Sequence, residues 1–190
     1  GPNGLHIAGM TVPGIPGIII GRANGRAWTL TTGYTDNTDT YIETLTSAST
    51  YLYDGQSRPF EVYPETFQVL GAAQATDTHF RTVHGPVYFL DAAAGQAAAW
   101  RNSFWNRELD MVEACYDAWR ATDIEQFQAA GARVTMSFNL FYADDELNTA
   151  FWHVGKYPLR PATVDPRLPA MGDGSQEWTG EMAFADQPQP

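Results

Sequence analysis

The sequence is poor in cysteine and in long hydrophobic runs. Its single cysteine, Cys115, cannot form an internal disulfide. No apolar run is long enough to span a bilayer as a helix, and no signal-peptide pattern opens the sequence. Cysteine and histidine do not cluster at the spacing of zinc ligands. These absences argue against a disulfide framework, a helical membrane span and a structural zinc site.

Positive charge is also scarce. The 190 residues carry 11 Lys and Arg against 22 Asp and Glu, which gives a net charge of −11, and Lys156 is the one lysine. A surface of this sign repels a nucleic-acid backbone, so we expect no nucleic-acid partner. Hydrophobic residues make up 44% of the chain and aromatic residues 13%. This composition predicts a globular protein with a sizeable core.

Strand signals dominate the first half of the chain. Asn24-Gly25 is a strong hairpin-turn signal, and it separates the β-rich runs 16–21 and 27–32. Asp54-Gly55 predicts a second hairpin turn. Residues 60–70 alternate between apolar and polar with the period of a strand. The pattern predicts an antiparallel sheet.

Helical periodicity appears in the second half. Apolar residues recur at helical spacing over residues 107–120. The sequence Thr122-Asp123-Ile124-Glu125 predicts a capping box that opens a second helix, and Gly131 is predicted to end it. Strands then resume over residues 134–142. The predicted fold is therefore α+β, a mostly antiparallel β-structure with a helical excursion at about residues 105–130.

The domain boundaries follow from length and from the first residues. Gly1-Pro2 is typical of the remnant of a cleaved affinity tag. A chain of this length forms one large or two small domains. We expect a single domain over residues 3–190.

Seven short segments occur in the order seen in the penicillin acylase family. Each motif is weak alone, but together they extend over nearly the whole chain without large gaps. The sequence therefore resembles an internal part of the β-chain of a penicillin acylase, a family related to acyl-homoserine-lactone and glutaryl-cephalosporin acylases. The segments are Gly4-Leu5-His6, residues 16–28, Tyr51-Leu52-Tyr53-Asp54-Gly55, Arg81-Thr82-Val83-His84-Gly85-Pro86, Asn139-Leu140-Phe141-Tyr142-Ala143-Asp144, Asp165-Pro166-Arg167-Leu168-Pro169 and Glu177-Trp178-Thr179-Gly180.

The resemblance implies an αββα fold and a particular chemistry. In these N-terminal-nucleophile hydrolases the first residue of the mature β-chain, usually serine, attacks the amide, and its own α-amine acts as the base. That residue is expected upstream of Gly4, whereas this sequence opens on glycine, which has no side-chain nucleophile. We therefore expect a piece of a β-chain that lacks the nucleophile and is inactive alone.

The resemblance also implies residues that stabilise an oxyanion. Asn139 matches the asparagine whose side-chain amide donates to the oxyanion, and Thr32 matches the position that donates through its backbone N–H. Alternatively, Asn139 could simply bond a neighbouring backbone group. Gly33 would let a substrate approach closely, although a bend at the strand end explains it equally well. Arg160 matches an arginine near the active site, with a surface arginine as the alternative.

A partial calcium site is implied as well. Asp36, Asp39 and the carbonyl of Thr38 match part of the calcium site of the family. Calcium takes six to eight oxygen ligands, so a carboxylate from the α-chain and other groups would have to complete it. Two acids in a solvated turn are the alternative. We expect no other cofactor.

The histidines and the cysteine are expected to have structural roles. His6, His84 and His153 lie in segments like those of the family, but none has a neighbouring cysteine or a paired serine. Cys115 lies on the apolar face of the predicted helix, which indicates a buried thiol rather than a nucleophile.

Two functions stay open at this stage. The resemblance implies a parent enzyme that hydrolyses a linear amide, either the side chain of a β-lactam or an N-acyl-homoserine lactone, through an acyl-enzyme. Its partners would be the α-chain and the remainder of the β-chain, and its location periplasmic or secreted. The alternative is a non-catalytic binding or structural module derived from the same fold. The acyl specificity is not predicted, because the residues that shape the acyl pocket are expected largely outside this sequence.

Overall fold

The structure, a computed structural model, describes residue 4, residues 6–15 and residues 17–189. It consists mainly of antiparallel strands with two α-helices. The predicted α+β fold is confirmed, and the helical excursion lies between Glu108 and Gly131. The tag remnant expected at Gly1-Pro2 lies outside the described residues.

The described residues form fifteen strands, two α-helices and one short 3-10 helix. The strands are β1 (Ile7–Met10), β2 (Ile20–Ala23), β3 (Arg26–Thr32), β4 (Thr38–Ser47), β5 (Thr50–Tyr53), β6 (Gln56–Pro59), β7 (Glu61–Phe67), β8 (Ala75–Arg81), β9 (Val87–Asp91), β10 (Gln96–Asn102), β11 (Phe138–Asp144), β12 (Thr149–Val154), β13 (Pro158–Leu159), β14 (Ala170–Met171) and β15 (Gly180–Glu181). The helices are α1 (Glu108–Arg120) and α2 (Ile124–Gly131), and a short 3-10 helix spans Phe184–Asp186. Within the part of the chain that is described, no helix is both long and apolar enough to cross a membrane.

The chain folds into two compact units. The first unit contains the described residues up to Asn37, Ser103–Pro158 and the described residues from Glu181 onward. The second unit contains Thr38–Asn102 and Leu159–Gly180. The division into compact units does not test the single domain expected over residues 3–190, which stays a prediction.

The first unit is built on a five-stranded antiparallel sheet in the order β1-β2-β3-β11-β12. The predicted Asn24-Gly25 turn joins β2 to β3. Both turn residues have positive φ, 42° and 82°, as a two-residue hairpin loop requires. Since β3 pairs with β2 on one side and with β11 on the other, this hairpin supplies the middle of the sheet.

Both helices contribute to the hydrophobic core on one face of this sheet. The Phe127 side chain of α2 is 1% exposed. Its ring packs on Trp28, Tyr142 and Trp152 at centroid distances of 6.1, 4.8 and 6.1 Å. Trp119 of α1 belongs to the same core. Burial of large aromatic rings dominates the energetics of such a core, so these contacts fix the helices on the sheet.

The two ends of α2 differ from the sequence prediction. The N-cap is Asp123 rather than Thr122, because the Asp123 carboxylate accepts the backbone N–H of Gln126 at 2.8 Å. Gly131 is the last helical residue and does not have a left-handed conformation. A Cβ atom at Gly131 would lie 3.2 Å from Leu140 Cδ2. Close packing of the helix on the sheet, rather than a turn, therefore explains this glycine.

The second unit contains a six-stranded sheet and a separate two-stranded ribbon of β7 and β8. The antiparallel strands of the sheet follow the order β6-β5-β4-β10-β9, and β14 pairs with β4 in parallel. Asp54-Gly55 forms the predicted turn between β5 and β6, with φ of 51° and 71°. β4 begins at Thr38, so Thr38 and Asp39 belong to a strand and not to the predicted turn. The backbone pairing with β10 extends the strand to this point.

Candidate active site

The candidate site begins with a row of polar residues across three strands of the first unit. Leu140 packs in the helix-covered core, so the adjacent Asn139 faces the opposite side of the sheet. In the register of the sheet, Asn139 of β11 lies opposite Thr31 of β3 on one side and His153 of β12 on the other. Strand pairing alone therefore brings these three side chains together.

Hydrogen bonds fix the orientation of the Asn139 side chain. Its Nδ2 donates to Thr31 Oγ1 at 3.1 Å and to the Thr32 carbonyl oxygen at 3.2 Å. Its Oδ1 lies 2.7 Å from His153 Nδ1, and His153 Nε2 lies 2.7 Å from Thr35 Oγ1. Because an amide oxygen can only accept, His153 Nδ1 carries a proton in this arrangement. In the neutral ring, Nε2 then accepts from the Thr35 hydroxyl.

The loop after β3 is held against Ser137. The Gly33 N–H donates to the Ser137 carbonyl oxygen at 3.0 Å, and the Thr35 N–H donates to Ser137 Oγ at 3.0 Å. Tyr34, between them, has a φ of 56° and a side chain that is 90% exposed. A positive φ is uncommon for a large side chain and persists where the surroundings impose it. The two bonds to Ser137 impose it here.

Gly33 is a point of close packing. A Cβ atom at this position would collide with Ser137 Oγ and would lie 2.9 Å from His153 Cε1 and 3.0 Å from the Phe138 nitrogen. In the first unit this space is filled by protein atoms. The structure thus adds a third reason for a glycine here, besides substrate approach and a strand-end bend.

The structure therefore brings Asn139, Thr32 and Gly33 together at the end of β3. The Asn139 amide is a half-buried donor of fixed direction, and its acceptor oxygen is occupied by His153. Oriented donors stabilise charge that develops on a neighbouring oxygen, and here that oxygen would replace Thr31 Oγ1 or the Thr32 carbonyl oxygen as acceptor. The arrangement is chemically suited to polarising a carbonyl group.

An apolar cavity of about 560 Å³ lies beside the same strands in the first unit. Leu30 and Phe138, which directly precede Thr31 and Asn139, are among the residues that line it. The lining also includes Met10, Ile15, Ile20, Met111, Val112, Cys115, Thr135 and Met136. A cavity of this size and polarity is in the range of small-molecule sites.

Cys115 lies at this cavity as a free thiol that is half-buried rather than fully buried. Burial raises the pKa of the thiol above its ordinary value. The thiolate is the nucleophilic form, so this environment makes Cys115 less reactive and not more.

Arg160 lies in the second unit, where it forms an ion pair with Asp39. The Arg160 Nε donates to Asp39 Oδ2 at 2.8 Å, and the Trp178 indole N–H donates to the same oxygen. Asp39 is 7% exposed. Arg160 is therefore a partly buried residue that is paired with a buried carboxylate. Its place near the active site stays a prediction.

The predicted calcium ligands are engaged elsewhere or divided between the two units. Asp39 uses one carboxylate oxygen for Arg160 and Trp178. Asp36 belongs to the first unit and Thr38 to the second. Among the described residues, no three His, Cys, Asp or Glu side chains are grouped so that they could hold a metal ion. The described side chains do not by themselves supply a calcium site, and the partial site stays a prediction that requires ligands from elsewhere.

The histidines differ in environment. His84 is 1% exposed in the second unit, with its ring nitrogens 2.8 Å from Glu43 and 2.6 Å from Glu177. His6 is exposed, and its backbone N–H donates to Asn24 Oδ1 at 3.3 Å. His153 lies at the candidate site itself. Sequence reasoning treated the three alike and so missed this difference.

The sequence held one signal that could have found His153. Residues 144–148 form a recognisable polar turn, and Asn139 and His153 are equally far from its middle residue, Glu146. A hairpin centred on this turn pairs the two residues. Thr35 and Ser137 lie in irregular segments, and no pattern pointed to them.

Comparisons with known proteins identify the family of the chain. The family model described as penicillin amidase matches residues 1–190. The penicillin G acylase of Escherichia coli is 30% identical over 192 residues, which cover 97% of this chain and 23% of that protein. The acyl-homoserine lactone acylase QuiP of Pseudomonas aeruginosa is 31% identical, over 91% of this chain and 22% of that protein.

A solved structure is also similar. The thermostable penicillin G acylase from Alcaligenes faecalis superposes with a TM-score of 0.93 at 33% identity, over 98% of this chain and 34% of that one. The chain thus spans less than a quarter of the length of the two curated relatives. Since the family model matches every residue, the chain belongs to the penicillin amidase family.

Proposed function

We propose that this chain carries the oxyanion-stabilising residues of an acylase-type amide hydrolase. The substrate is a linear amide, either the side chain of a β-lactam or an N-acyl-homoserine lactone, which is cleaved through an acyl-enzyme. The names of the relatives, penicillin G acylase and acyl-homoserine lactone acylase, support this substrate class. The nucleophile comes from the remainder of the β-chain. The partners of this chain are that remainder and the α-chain.

One observation carries the proposal. The Asn139 Nδ2 lies 3.2 Å from the Thr32 carbonyl oxygen, so the side-chain donor sits beside the residue whose backbone N–H is the second donor. When the nucleophile attacks, negative charge develops on the carbonyl oxygen of the substrate. The Asn139 amide and the Thr32 N–H stabilise that charge, and loss of one such donor costs about 3–4 kcal/mol of transition-state stabilisation.

His153 orients this donor. Its Nδ1–H holds Asn139 Oδ1 at 2.7 Å, which turns Nδ2 toward the end of β3. Thr35 fixes the ring in turn through Nε2. In this proposal Asn139 and the Thr32 backbone N–H are the catalytic groups of this chain, and His153 positions Asn139.

Remaining parts of the site follow from the same proposal. Gly33, where a Cβ atom would displace Ser137 and His153, keeps these side chains in place next to the substrate. Arg160 orients the surroundings of the nucleophile. Asp36, Asp39 and the Thr38 carbonyl contribute to a calcium site that other segments complete; calcium there would be structural. The location is periplasmic or secreted.

The proposal can be tested in a chimera. The matched segment of the Escherichia coli penicillin G acylase is replaced by this chain, and hydrolysis of a chromogenic phenylacetyl amide is measured. Asn139→Ala should lower kcat about 100- to 1000-fold with little change in KM. Asn148→Ala, on the same hairpin, is the matched control and should leave kcat unchanged. An active chimera that is insensitive to Asn139→Ala would contradict the assignment.

The isolated chain gives a second test. We expect no amide hydrolysis from it, because the nucleophile is not among its residues. Hydrolysis that survives repurification would overturn the proposal.

A further inference from the structure

A buried histidine in the second unit lies between two carboxylates. His84 is 1% exposed and Glu43 is 0% exposed. His84 Nδ1 lies 2.8 Å from Glu43 Oε1, and His84 Nε2 lies 2.6 Å from Glu177 Oε1. An ionised carboxylate can only accept, so both ring nitrogens must donate. The ring is therefore an imidazolium whenever both carboxylates are ionised.

The groups around His84 favour this charge. Arg101 donates to the second oxygen of Glu177. Two carboxylates, one guanidinium and the imidazolium then balance to zero net charge within the cluster. The Tyr41 ring stacks on the imidazole at 3.9 Å with an interplanar angle of 4°. The Tyr53 ring lies edge-on at 5.6 Å.

Glu177 and Trp178 are consecutive residues, so the cluster around His84 is covalently connected to a residue that contacts Asp39. The Arg101 guanidinium lies 4.2 Å from the centre of the Trp178 ring. The Trp178 indole N–H donates to Asp39 Oδ2, the oxygen that also accepts from Arg160. The segment that carries Trp178 is thus attached to the sheet by Glu177.

We propose that His84 is a positioning residue whose imidazolium clamps Glu177 to Glu43 and thereby holds Trp178 and Arg160 on Asp39. The clamp rests on the geometry of the second unit alone. Its bearing on amide hydrolysis, through Arg160, rests on the proposed function.

The clamp depends on pH in a defined direction. Burial by itself lowers the pKa of His84, but its hydrogen bonds to Glu177 and Glu43 outweigh burial and raise the pKa above 6.5. A neutral imidazole carries one N–H and can donate to only one of the two carboxylates. The second carboxylate then faces the lone pair of the unprotonated ring nitrogen, which repels it. Because the folded pKa is raised, the clamp is complete below pH 6.5 and is lost as the pH rises through the folded pKa.

Nuclear magnetic resonance of the ¹⁵N-labelled chain tests the proposal. At pH 6.5 both ring nitrogens of His84 should have the shifts of protonated nitrogens, and the Trp178 indole N–H should exchange slowly with solvent. As the pH rises, the His84 shifts and the Trp178 indole signal should change with one common midpoint. A neutral His84 ring at pH 6.5, or separate midpoints, would overturn the clamp. This measurement needs no substitution and no enzymatic activity.

Substitution gives the second measurement. His84→Gln keeps a hydrogen-bonding side chain without the charge, and it should speed exchange of the Trp178 indole N–H at least tenfold. His79→Gln is the matched control, because His79 is exposed and lies 3.8 Å from Glu65 and Asp77. Unchanged indole exchange in His84→Gln would refute the positioning role. Loss of the fold in His84→Gln leaves the pH titration of the unsubstituted chain as the deciding test. An inactive chimera with an intact clamp would contradict the proposed function and not the clamp.

Discussion

Replacing Gly33 by alanine should disturb the candidate site more than its size suggests. The added Cβ atom collides with Ser137 Oγ and approaches His153 Cε1 to 2.9 Å and the Phe138 nitrogen to 3.0 Å. The Phe138 nitrogen belongs to a paired strand, so it cannot move away alone. The side chains of Ser137 and His153 must move instead, and both are hydrogen-bonded to Thr35.

The magnitude follows from three terms. Overpacking at a filled position costs about 1–3 kcal/mol. Loss of the bond from the Thr35 N–H to Ser137 Oγ adds about 1 kcal/mol. Alanine in an extended segment regains about 0.5–1 kcal/mol relative to glycine, because the unfolded chain is less flexible. The net expectation is a loss of about 2 kcal/mol in the free energy of unfolding.

Urea denaturation measures this loss as a lower midpoint at an unchanged slope. Gly180→Ala is the matched control, since a Cβ atom there would meet nothing closer than Leu159 Cδ1 at 3.9 Å. Adding Ser137→Ala to Gly33→Ala should restore part of the midpoint, because it removes the nearest obstructing atom. If Gly33→Ala is as stable as Gly180→Ala, the close-packing explanation is wrong.

Three further outcomes are expected. Asp123→Ala should lower the free energy of unfolding in urea by about 1 kcal/mol, and Asp123→Ser should retain most of the N-cap. The Cys115 thiol should react slowly with a thiol reagent when folded and quickly in urea, because burial raises its pKa; equal rates would contradict this. Burial raises the pKa of Tyr41 and Tyr142 to about 12, so both should ionise late in an absorbance titration. Since the folded state favours the protonated phenols, the stability that these two tyrosines contribute is lost as the pH rises from 10 toward 12. Ionisation of both tyrosines near pH 10 would refute the raised pKa values.

The sequence predicted those parts of the fold that depend on neighbouring residues. Asn24-Gly25 and Asp54-Gly55 adopt positive φ in the two predicted turns, because asparagine, aspartate and glycine tolerate that conformation. The helical excursion was predicted from spacing alone, since an amphipathic helix repeats its apolar face locally. Family resemblance, rather than periodicity, supplied the αββα assignment and the choice of Asn139.

Features that depend on tertiary contacts were not predicted correctly. Gly131 was interpreted as a helix stop, whereas its role is to let α2 approach Leu140. Thr38 and Asp39 were placed in a turn, but pairing with β10 extends β4 over both. In each case the deciding partner lies far away in sequence, so a local pattern holds no information about it.

The partners of the histidines also lie far away in sequence. His84 is 41 residues from Glu43 and 93 residues from Glu177, and His153 is 118 residues from Thr35. Each appeared isolated in the sequence because its partners come from other strands and loops. The composition nevertheless constrained the partners of a buried histidine, since 22 acidic residues are available to only 4 histidines and 11 other basic side chains. In such an acidic chain a buried imidazole is most readily satisfied by carboxylates, which favour its charged form. Strand register and loop packing then decide whether a histidine meets two carboxylates, as His84 does, or an amide and a hydroxyl, as His153 does. This difference separates a histidine that clamps two acids from one that orients an amide.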